Sequence, residues 1–382
     1  MKRWMGILLC AACLLGLIPC KAQAAGIKIE GKSALLMDVA TGTVLFEQDA
    51  HTPLPPASVT KVMTMLLIME AIDSGRIGWA DSVTASEAAA AKGGSQVFLK
   101  AGETMTVSDM VKAIAVSSAN DCACAMAEHI AGSEEAFVAQ MNTRAKELGM
   151  EDTNFVNCTG LDDGEDAQNH RTSAHDIALM SRQLLLYHPD IKTYTTIWMD
   201  TLRNGTFGLS NTNKMVRFYR GATGLKTGFT SGAGYCLSAS AQRDGMELVA
   251  VVMGCETSAK RFAACKSLLD YGFANFALVE PVPEEASFVP VTLGTSDTVS
   301  AVPAKAEPLL IDKSQKASVT TQVTLDESVT APVSKGQRLG TLTVRSGEQV
   351  LAQIPLVAEQ AVPRLTLGEL FVYMLRQITM AK

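Results

Sequence analysis

The sequence predicts an α+β protein in which an antiparallel sheet has helices on both faces, followed by a small all-β domain and a C-terminal amphipathic helix. Three observations lead to this prediction. A hairpin pattern lies near the N-terminus, a helical stretch follows it, and a series of strand-like segments comes next. Strands from both ends of one region, with helices between them, favour a single antiparallel sheet covered by helices. With 382 residues, of which 47% are hydrophobic, the chain is long enough for two domains.

The first 24 residues have the pattern of a signal peptide. Lys2 and Arg3 provide a basic start, an apolar stretch follows, and the sequence AQA at 22–24 forms a small-x-small cleavage site. The pattern predicts cleavage before Ala25 and export of the rest of the chain. Export permits disulfides, but the cysteines beyond this point show no framework spacing, so we expect most of them to be small buried side chains.

Residues 33–75 predict a hairpin and then a buried helix. The segment SALLMDVATGTVLFEQD contains two apolar runs joined at Thr41-Gly42, which is typical of a hairpin. The segment that starts at Ser58, SVTKVMTMLLIMEA, is almost wholly apolar as far as Gly75, a plausible helix stop. A helix with so few polar positions is expected to be buried on nearly all sides.

The middle of the chain predicts two helices and then three strands. The segment TVSDMVKAIAVSSANDCACAMAEHIAG opens with Thr106 and Asp109 in a capping-box pattern and breaks near SSAN. After about Met215, the segments GLKTGFT, GYCLSASAQ and MELVAVVMG read as strands, and Asp244-Gly245 is a hairpin turn between the last two.

The remaining chain predicts a linker, a β-rich domain and a terminal helix. The Pro/Glu segment VEPVPEEASFVPV precedes short β-like runs without His or Cys. We therefore divide the chain into a signal peptide (1–24), a main domain (25–280), a β domain (281–362) and a helix (363–382). The helix has apolar residues at helical spacing and is shorter than the roughly 20 apolar residues that span a bilayer. Lying in the membrane interface fits it better, and packing on the β domain is the alternative.

Three short motifs point to nucleophilic catalysis. Ser58 and Lys61 are three residues apart, so on a helix their side chains emerge on one face. A lysine in a poorly solvated site loses its proton more readily and can then act as general base for a serine. Ser118 and Asn120 form an S-x-N motif at the break between two helices, and residues 226–228 form K-T-G at the start of a predicted strand. The three motifs in this order are the set described for penicillin-recognising serine enzymes.

On these motifs the sequence resembles the low-molecular-mass penicillin-binding proteins, which are serine-type D-alanyl-D-alanine carboxypeptidases. The resemblance extends to FVNCTGLDD, HRTSAHDIALMSRQLL and KSLLDYGF, and it looks closest to members from spore-forming bacteria. It implies a penicillin-binding/β-lactamase-like domain, a β domain serving as a stalk, and a membrane-anchor helix. It also implies peptidoglycan stem peptides ending in D-Ala-D-Ala as substrates, acylation by β-lactams, no metal or cofactor, and a location at the outer face of the cytoplasmic membrane.

The resemblance also implies a role for each motif residue. Ser58 would attack the terminal D-Ala-D-Ala peptide bond, Lys61 would accept its proton, and Ser118 would pass that proton to the leaving amine. The backbone N–H groups of Ser58 and Phe229 would form the oxyanion hole. The expected substrate-binding residues, which hold the amide or the terminal carboxylate or lie beside them, are Asn120, Lys226, Thr227, Gly228 and Phe229.

Two positions depart from the family pattern. Phe229 stands where many relatives have His, and Glu256 stands where some have a carboxylate-binding Arg, with Arg261 coming only later. His170 and His175 lie outside the motifs, and we expect them to be structural.

Several alternative functions remain open at this stage. A serine β-lactamase shares the motifs, and Glu165 could be its water-activating carboxylate. A D,D-endopeptidase would use the same chemistry, and a non-catalytic cell-wall-binding protein would have a decayed site. Nucleic-acid binding is excluded because the net charge is −6 and no basic run occurs.

Overall fold

The structure is a computed structural model that describes residues 27–164, 166–305 and 307–380. The predicted signal peptide and Glu165 lie outside the described residues. The helices are α1 Lys61–Asp73, α2 Glu87–Ala90, α3 Val107–Ser117, α4 Asn120–Ala131, α5 Glu134–Glu147, α6 Ala174–Tyr187, α7 Lys192–Thr195, α8 Met215–Phe218, α9 Ser258–Asn275 and α10 Leu367–Met380. The strands are β1 Ser33–Asp38, β2 Val44–Gln48, β3 Ser82–Thr84, β4 Thr104–Thr106, β5 Met199–Leu202, β6 Phe207–Ser210, β7 Ala222–Thr230, β8 Gly234–Arg243, β9 Met246–Cys255, β10 Phe276–Val279, β11 Ser287–Thr292, β12 Thr298–Pro303, β13 Leu309–Asp312, β14 Val319–Leu325, β15 Val329–Thr330, β16 Arg338–Ser346 and β17 Gln349–Ala358.

The central sheet joins the two ends of the main domain. Its strand order is β2-β1-β9-β8-β7, and every neighbouring pair is antiparallel. The predicted hairpins β1–β2 and β8–β9 are both present, and Asp244 and Gly245 have the positive φ angles, 50° and 83°, that a tight hairpin turn requires. The predicted antiparallel sheet with strands from both ends is confirmed.

Helices cover both faces of this sheet, as the sequence predicted. Leu35 and Val251 face the core that contains α1, α3, α4 and α6, whereas the next residues along their strands, Leu36 and Val252, face the core formed with α9. The α9 helix approaches the sheet closely at Gly272, where an added Cβ would overlap the side chain of Leu248. Two cores on one sheet explain why all six residues of β1 are buried.

Helix α1 is buried on nearly all sides, as its composition predicted. Every residue from Lys61 to Met69 is buried, and α1 contacts α3, α4 and α6. A 3₁₀ turn at Ala57–Thr60, which carries Ser58, precedes it. The six cysteines among the described residues are also buried, and none of them is in a disulfide.

The β domain has a six-stranded sheet of its own. The strand order is β14-β16-β17-β12-β11-β15, and its core includes Val289, Leu342 and Leu356. One strand of this region, β13, does not join the sheet and pairs instead with β10, which directly follows α9. The small all-β domain expected from the sequence is therefore present.

Helix α10 begins with a capping box. The Thr366 N–H donates to Glu369 Oε2 at 2.8 Å, and the Glu369 N–H donates to Thr366 Oγ1 at 3.4 Å. Leu367 and Phe371 on this helix are 88% and 64% exposed. Across residues 27–164, 166–305 and 307–380, no helix has the length and hydropathy needed to cross a membrane.

Candidate active site

The first motif brings a lysine amine to a serine hydroxyl. Ser58 lies in the 3₁₀ turn and Lys61 is the first residue of α1, so their side chains emerge on the same side. Lys61 Nζ donates to Ser58 Oγ at 3.0 Å and to the Thr159 carbonyl oxygen at 2.7 Å. The predicted contact between the two side chains is present.

The electrostatic setting of Lys61 favours its neutral form. The side chain is fully buried, and this burial lowers the pKa of Lys61 from 10.5 to about 7, although the nearby Cys158 and Asp121 act in the opposite direction. A substantial fraction of the amine is therefore unprotonated at neutral pH. An unprotonated amine at hydrogen-bond distance from a hydroxyl can accept its proton as the oxygen attacks an electrophile.

The second motif forms the break between α3 and α4. Ser118 ends α3 with a left-handed φ of 66° and is 4% exposed. Asn120 begins α4, and its Nδ2 donates to the Gly93 carbonyl at 2.7 Å. Asn120 Oδ1 is buried and has no hydrogen-bond partner within the part of the chain that the structure describes. A buried acceptor without a partner is costly, so a ligand N–H group that donates to this oxygen would remove that cost.

The third motif lies in the middle of β7, not at the start of the strand as the sequence suggested. Lys226 is fully buried, and its Nζ donates to the Thr227 carbonyl at 2.8 Å. Thr227 Oγ1 donates to Thr212 Oγ1 at 2.7 Å, and the Thr212 N–H donates to the carbonyl of Val116 in α3. Thr212 therefore connects the third motif to the helix that ends at the second.

Burial is also the main cause of a low pKa at Lys226. It lowers the pKa of Lys226 well below its usual range, and the charges of Lys61 and Arg261 lower it further. A ligand carboxylate placed beside Lys226 would favour the ammonium form, because an opposite charge raises the pKa of an amine.

Gly228 allows β7 to pass close to the 3₁₀ turn that carries Ser58. A Cβ on Gly228 would lie 2.6 Å from the Pro56 carbonyl oxygen and 3.1 Å from the Ser58 nitrogen. Any larger residue would push the strand away from Ser58. Phe229 follows, is 53% exposed, and packs its ring on Tyr235 with 4.3 Å between the ring centroids.

The structure adds two residues to the site: Thr159, which had no sequence signal, and Arg261, which the sequence placed after the expected arginine position. Thr159 contributes only its carbonyl oxygen, which any residue type supplies. Arg261, which lies too far along the chain to match the expected position, reaches back so that its Nη1 donates to the Gly228 carbonyl at 2.9 Å. Glu256, which does occupy that position, is exposed and pairs with Lys260 instead.

The two histidines outside the motifs have different surroundings. His170 is buried beside the 3₁₀ turn at Ala57–Thr60, where its Nε2 lies 2.7 Å from Thr60 Oγ1. His175 packs on the ring of His51, away from the motifs, and contacts Asp176.

Two family descriptions match most of the chain. One, D-alanyl-D-alanine carboxypeptidase, matches residues 20–257, and the other, penicillin-binding protein 5, C-terminal domain, matches residues 276–364. The chain is 42% identical over 346 residues to the D-alanyl-D-alanine carboxypeptidase DacF of Bacillus subtilis, covering 87% of this chain and 85% of that protein. It is 34% identical over 351 residues to DacC, a D-alanyl-D-alanine carboxypeptidase of Escherichia coli, covering 87% and 84%.

A solved structure has the same architecture. Penicillin binding protein 5 from Haemophilus influenzae superimposes with a TM-score of 0.74 at 30% sequence identity. The match covers 88% of this chain and 99% of that one. It therefore extends over both the main domain and the β domain.

Proposed function

Because the chain belongs to the D-alanyl-D-alanine carboxypeptidase family, we propose that Ser58 is its nucleophile and Lys61 its general base. The protein is a serine-type hydrolase that removes the terminal D-Ala from peptidoglycan stem peptides through an acyl-enzyme, and β-lactams acylate it. The observation that supports the assignment of Ser58 is the 3.0 Å contact between its hydroxyl and the buried amine of Lys61.

Acylation follows from this contact. Ser58 Oγ attacks the carbonyl carbon of the D-Ala-D-Ala bond while its proton moves to Lys61 Nζ. The backbone N–H groups of Ser58 and Phe229 stabilise the negative charge on the carbonyl oxygen. The carbon–nitrogen bond then breaks, and Ser118 passes the proton from Lys61 Nζ to the departing amine, which leaves Lys61 neutral again. Water hydrolyses the resulting ester and restores the free Ser58 hydroxyl.

The remaining motif residues bind the substrate in this proposal. Asn120 Oδ1, which has no partner among the described residues, accepts a hydrogen bond from the substrate amide. Lys226 and the hydroxyl of Thr227 bind the terminal carboxylate, and Gly228 keeps β7 close enough to Ser58 for both ends of the ligand to be held together. A peptide without that terminal carboxylate would lose this part of the binding.

The experiment that tests the assignment is D-Ala release from a synthetic peptide ending in D-Ala-D-Ala. Ser58→Ala is expected to abolish release. Ser118→Ala is expected to reduce it by roughly 100-fold, the usual size of a proton-transfer contribution. Ser117→Ala is the matched control, because this neighbouring hydroxyl donates to the Ala113 carbonyl within α3. Continued release by Ser58→Ala would refute the assignment, and cleavage of a cross-linked peptide alone would indicate an endopeptidase.

We further propose that the protein is exported, with residues 1–24 as signal peptide and residues 25–280, 281–362 and 363–382 as catalytic domain, β domain and membrane-binding helix. The exposed apolar side chains of α10, among them Leu367, Phe371 and Met374, support attachment at a membrane surface. Action outside the cytoplasm agrees with a peptidoglycan substrate.

A further inference from the structure

A chain of three hydrogen bonds reaches the 3₁₀ turn at Ala57–Thr60, which carries Ser58. The Val156 N–H donates to His170 Nδ1 at 3.1 Å, so the proton of the neutral ring is assigned to Nε2. His170 Nε2 lies 2.7 Å from Thr60 Oγ1 and donates to it. The Thr60 hydroxyl then donates to the Ala57 carbonyl oxygen at 2.8 Å. All three bonds run in one direction and end at the residue before Ser58.

The last acceptor belongs to the same peptide unit as an expected oxyanion-hole donor. The Ala57 carbonyl and the Ser58 N–H lie in one plane, so fixing the carbonyl also fixes the direction of the N–H. A hydrogen bond to the carbonyl also polarises the peptide, and successive bonds in a chain strengthen one another. The chain from His170 therefore acts on both the direction and the strength of the Ser58 donor.

The backbone around Ala57 requires such support. Ala57 has a φ of 48°, which is uncommon for a residue with a side chain and persists only where the surroundings enforce it. Gly160, with a φ of 82°, packs directly on the Ala57 carbonyl, where an added Cβ would overlap it. The side chain of Thr60 and the loop at Gly160 thus both pack against the same carbonyl oxygen.

The His170 ring keeps its donor role over the neutral pH range. The ring is 3% exposed, and burial together with the charge of Lys61 lowers the pKa of His170 to about 4. The ring is therefore neutral at neutral pH. Protonation of Nδ1 would also remove the acceptor that the Val156 N–H uses.

We propose that His170 is a positioning residue that, through Thr60, aims the Ser58 N–H at the oxyanion formed during acylation. The proposal rests on the assignment of Ser58 as nucleophile. The second expected oxyanion donor, the Phe229 N–H, has a similar arrangement, because Arg261 Nη1 donates to the Gly228 carbonyl of the same peptide unit. In both cases a buried side chain, Thr60 or Arg261, donates to the carbonyl oxygen of the peptide unit whose N–H is the expected oxyanion donor.

Removing the chain of bonds is expected to weaken binding of the tetrahedral state while leaving binding of the substrate unchanged. Complete loss of one oxyanion donor costs about 100- to 1000-fold in turnover, so misdirecting a donor that is still present should cost roughly 10- to 100-fold. The same factor should appear in the affinity for a boronic acid, whose tetrahedral adduct with Ser58 carries the negative charge. The KM for a D-Ala-D-Ala peptide should stay within about two-fold when acylation is rate-limiting.

The first test compares Thr60→Val with Thr60→Ser. Valine has the shape of threonine without the hydroxyl, whereas serine keeps the hydroxyl. We expect Thr60→Val to reduce the rate of acylation by penicillin and the boronic acid affinity by the same factor, and Thr60→Ser to retain both. Thr195→Val is the control for a purely structural effect, because it removes another buried hydroxyl that donates to a carbonyl, that of Thr223.

A folded Thr60→Val variant with wild-type acylation and boronic acid affinity would overturn the proposal, as would an equal loss of both in Thr195→Val. If Thr60→Val does not fold, comparing His170→Gln with His170→Leu tests the proposal instead. Glutamine can supply an N–H donor to Thr60 and leucine cannot, so we expect only the glutamine variant to retain acylation. Equal activities in that pair would also overturn the proposal.

Peptide mapping of the wild-type adduct separates this proposal from the assignment of Ser58 as nucleophile. An adduct away from Ser58 refutes the nucleophile assignment. An adduct at Ser58 confirms that assignment, and the variants then test the role of His170.

Discussion

At the scale of single residues, the ammonium group of Lys61 lies in surroundings that disfavour its charge. The side chain is fully buried, and its Nζ contacts one hydroxyl and one backbone carbonyl, neither of which carries a charge. Desolvation outweighs the attraction of Asp121, so the pKa of Lys61 is lowered to about 7. Burial would make a lysine without a function costly, but here it supports the role of general base that we propose for Lys61.

This pKa predicts the pH dependence of acylation. With Lys61 as the proposed base, the neutral amine is the active form, so the acylation rate should rise as the pH increases through about 7 and level off above it. Lys61→Arg should be inactive across the range, because a guanidinium stays protonated. Stopped-flow measurement of penicillin acylation between pH 5 and 9 tests this, and a rate that falls as the pH rises through 7 would contradict it.

At the scale of elements, the site depends on how closely three backbone segments approach one another. Strand β7 passes Ser58 at Gly228, and the loop at 157–160 meets the 3₁₀ turn at Ala57–Thr60 through Gly160. The left-handed residue Ser118 turns the chain from α3 into α4. Each approach uses a backbone feature, an absent Cβ or a positive φ, that the motif residues alone do not supply.

Substitution of Gly160 is therefore expected to damage both stability and catalysis. Gly160→Ala combines a left-handed backbone with overlap on the Ala57 carbonyl, and strain plus overpacking should cost about 2–5 kcal/mol. Gly102→Ala is the matched control, since Gly102 has a φ of 79° with no atom within 4 Å of the added Cβ, so only the strain of about 1–2 kcal/mol applies.

The free energy of unfolding from urea titrations, together with the penicillin acylation rate, measures both effects. We expect Gly102→Ala to acylate normally and Gly160→Ala to acylate slowly even under conditions where it is folded. Equal losses of stability in the two variants would show that the overlap at Ala57 has no consequence.

At the scale of the whole molecule, local patterns were predictable and distant contacts were not. The pair Ser58 and Lys61 is set by helical spacing, and the hairpin β8–β9 by its turn residues, so both were visible in the sequence. The bond from Lys61 to Thr159 crosses 98 residues, and that from Thr60 to His170 crosses 110. Contacts of that kind depend on tertiary packing and leave no periodic signal.

The strand pairing of the β domain was likewise not predictable from the sequence. Its short, half-exposed strands identify an all-β region, but nothing local specifies that β13 pairs with β10 while β12 pairs with β11 and β17. Partner choice among such strands is decided by side-chain packing across the assembled sheet.

The exposed apolar side chains of α10 predict reversible membrane binding. Ending the chain after Pro363 should abolish co-sedimentation with lipid vesicles, while D-Ala release from a soluble peptide should be unchanged because the site lies in the main domain. Phe371→Ser with Leu367→Ser is the matched full-length variant and should weaken binding by removing exposed apolar area. Full vesicle binding by the shortened chain would show that α10 is not the anchor.

The most direct test of the central claim is the intact mass of the protein followed over time after mixing with penicillin. We predict one lasting adduct that equals the mass of one penicillin, located at Ser58 by peptide mapping and missing from Ser58→Ala. Absence of any adduct in the wild-type protein, or an unchanged adduct in Ser58→Ala, would contradict the assignment of Ser58 as the acylated nucleophile.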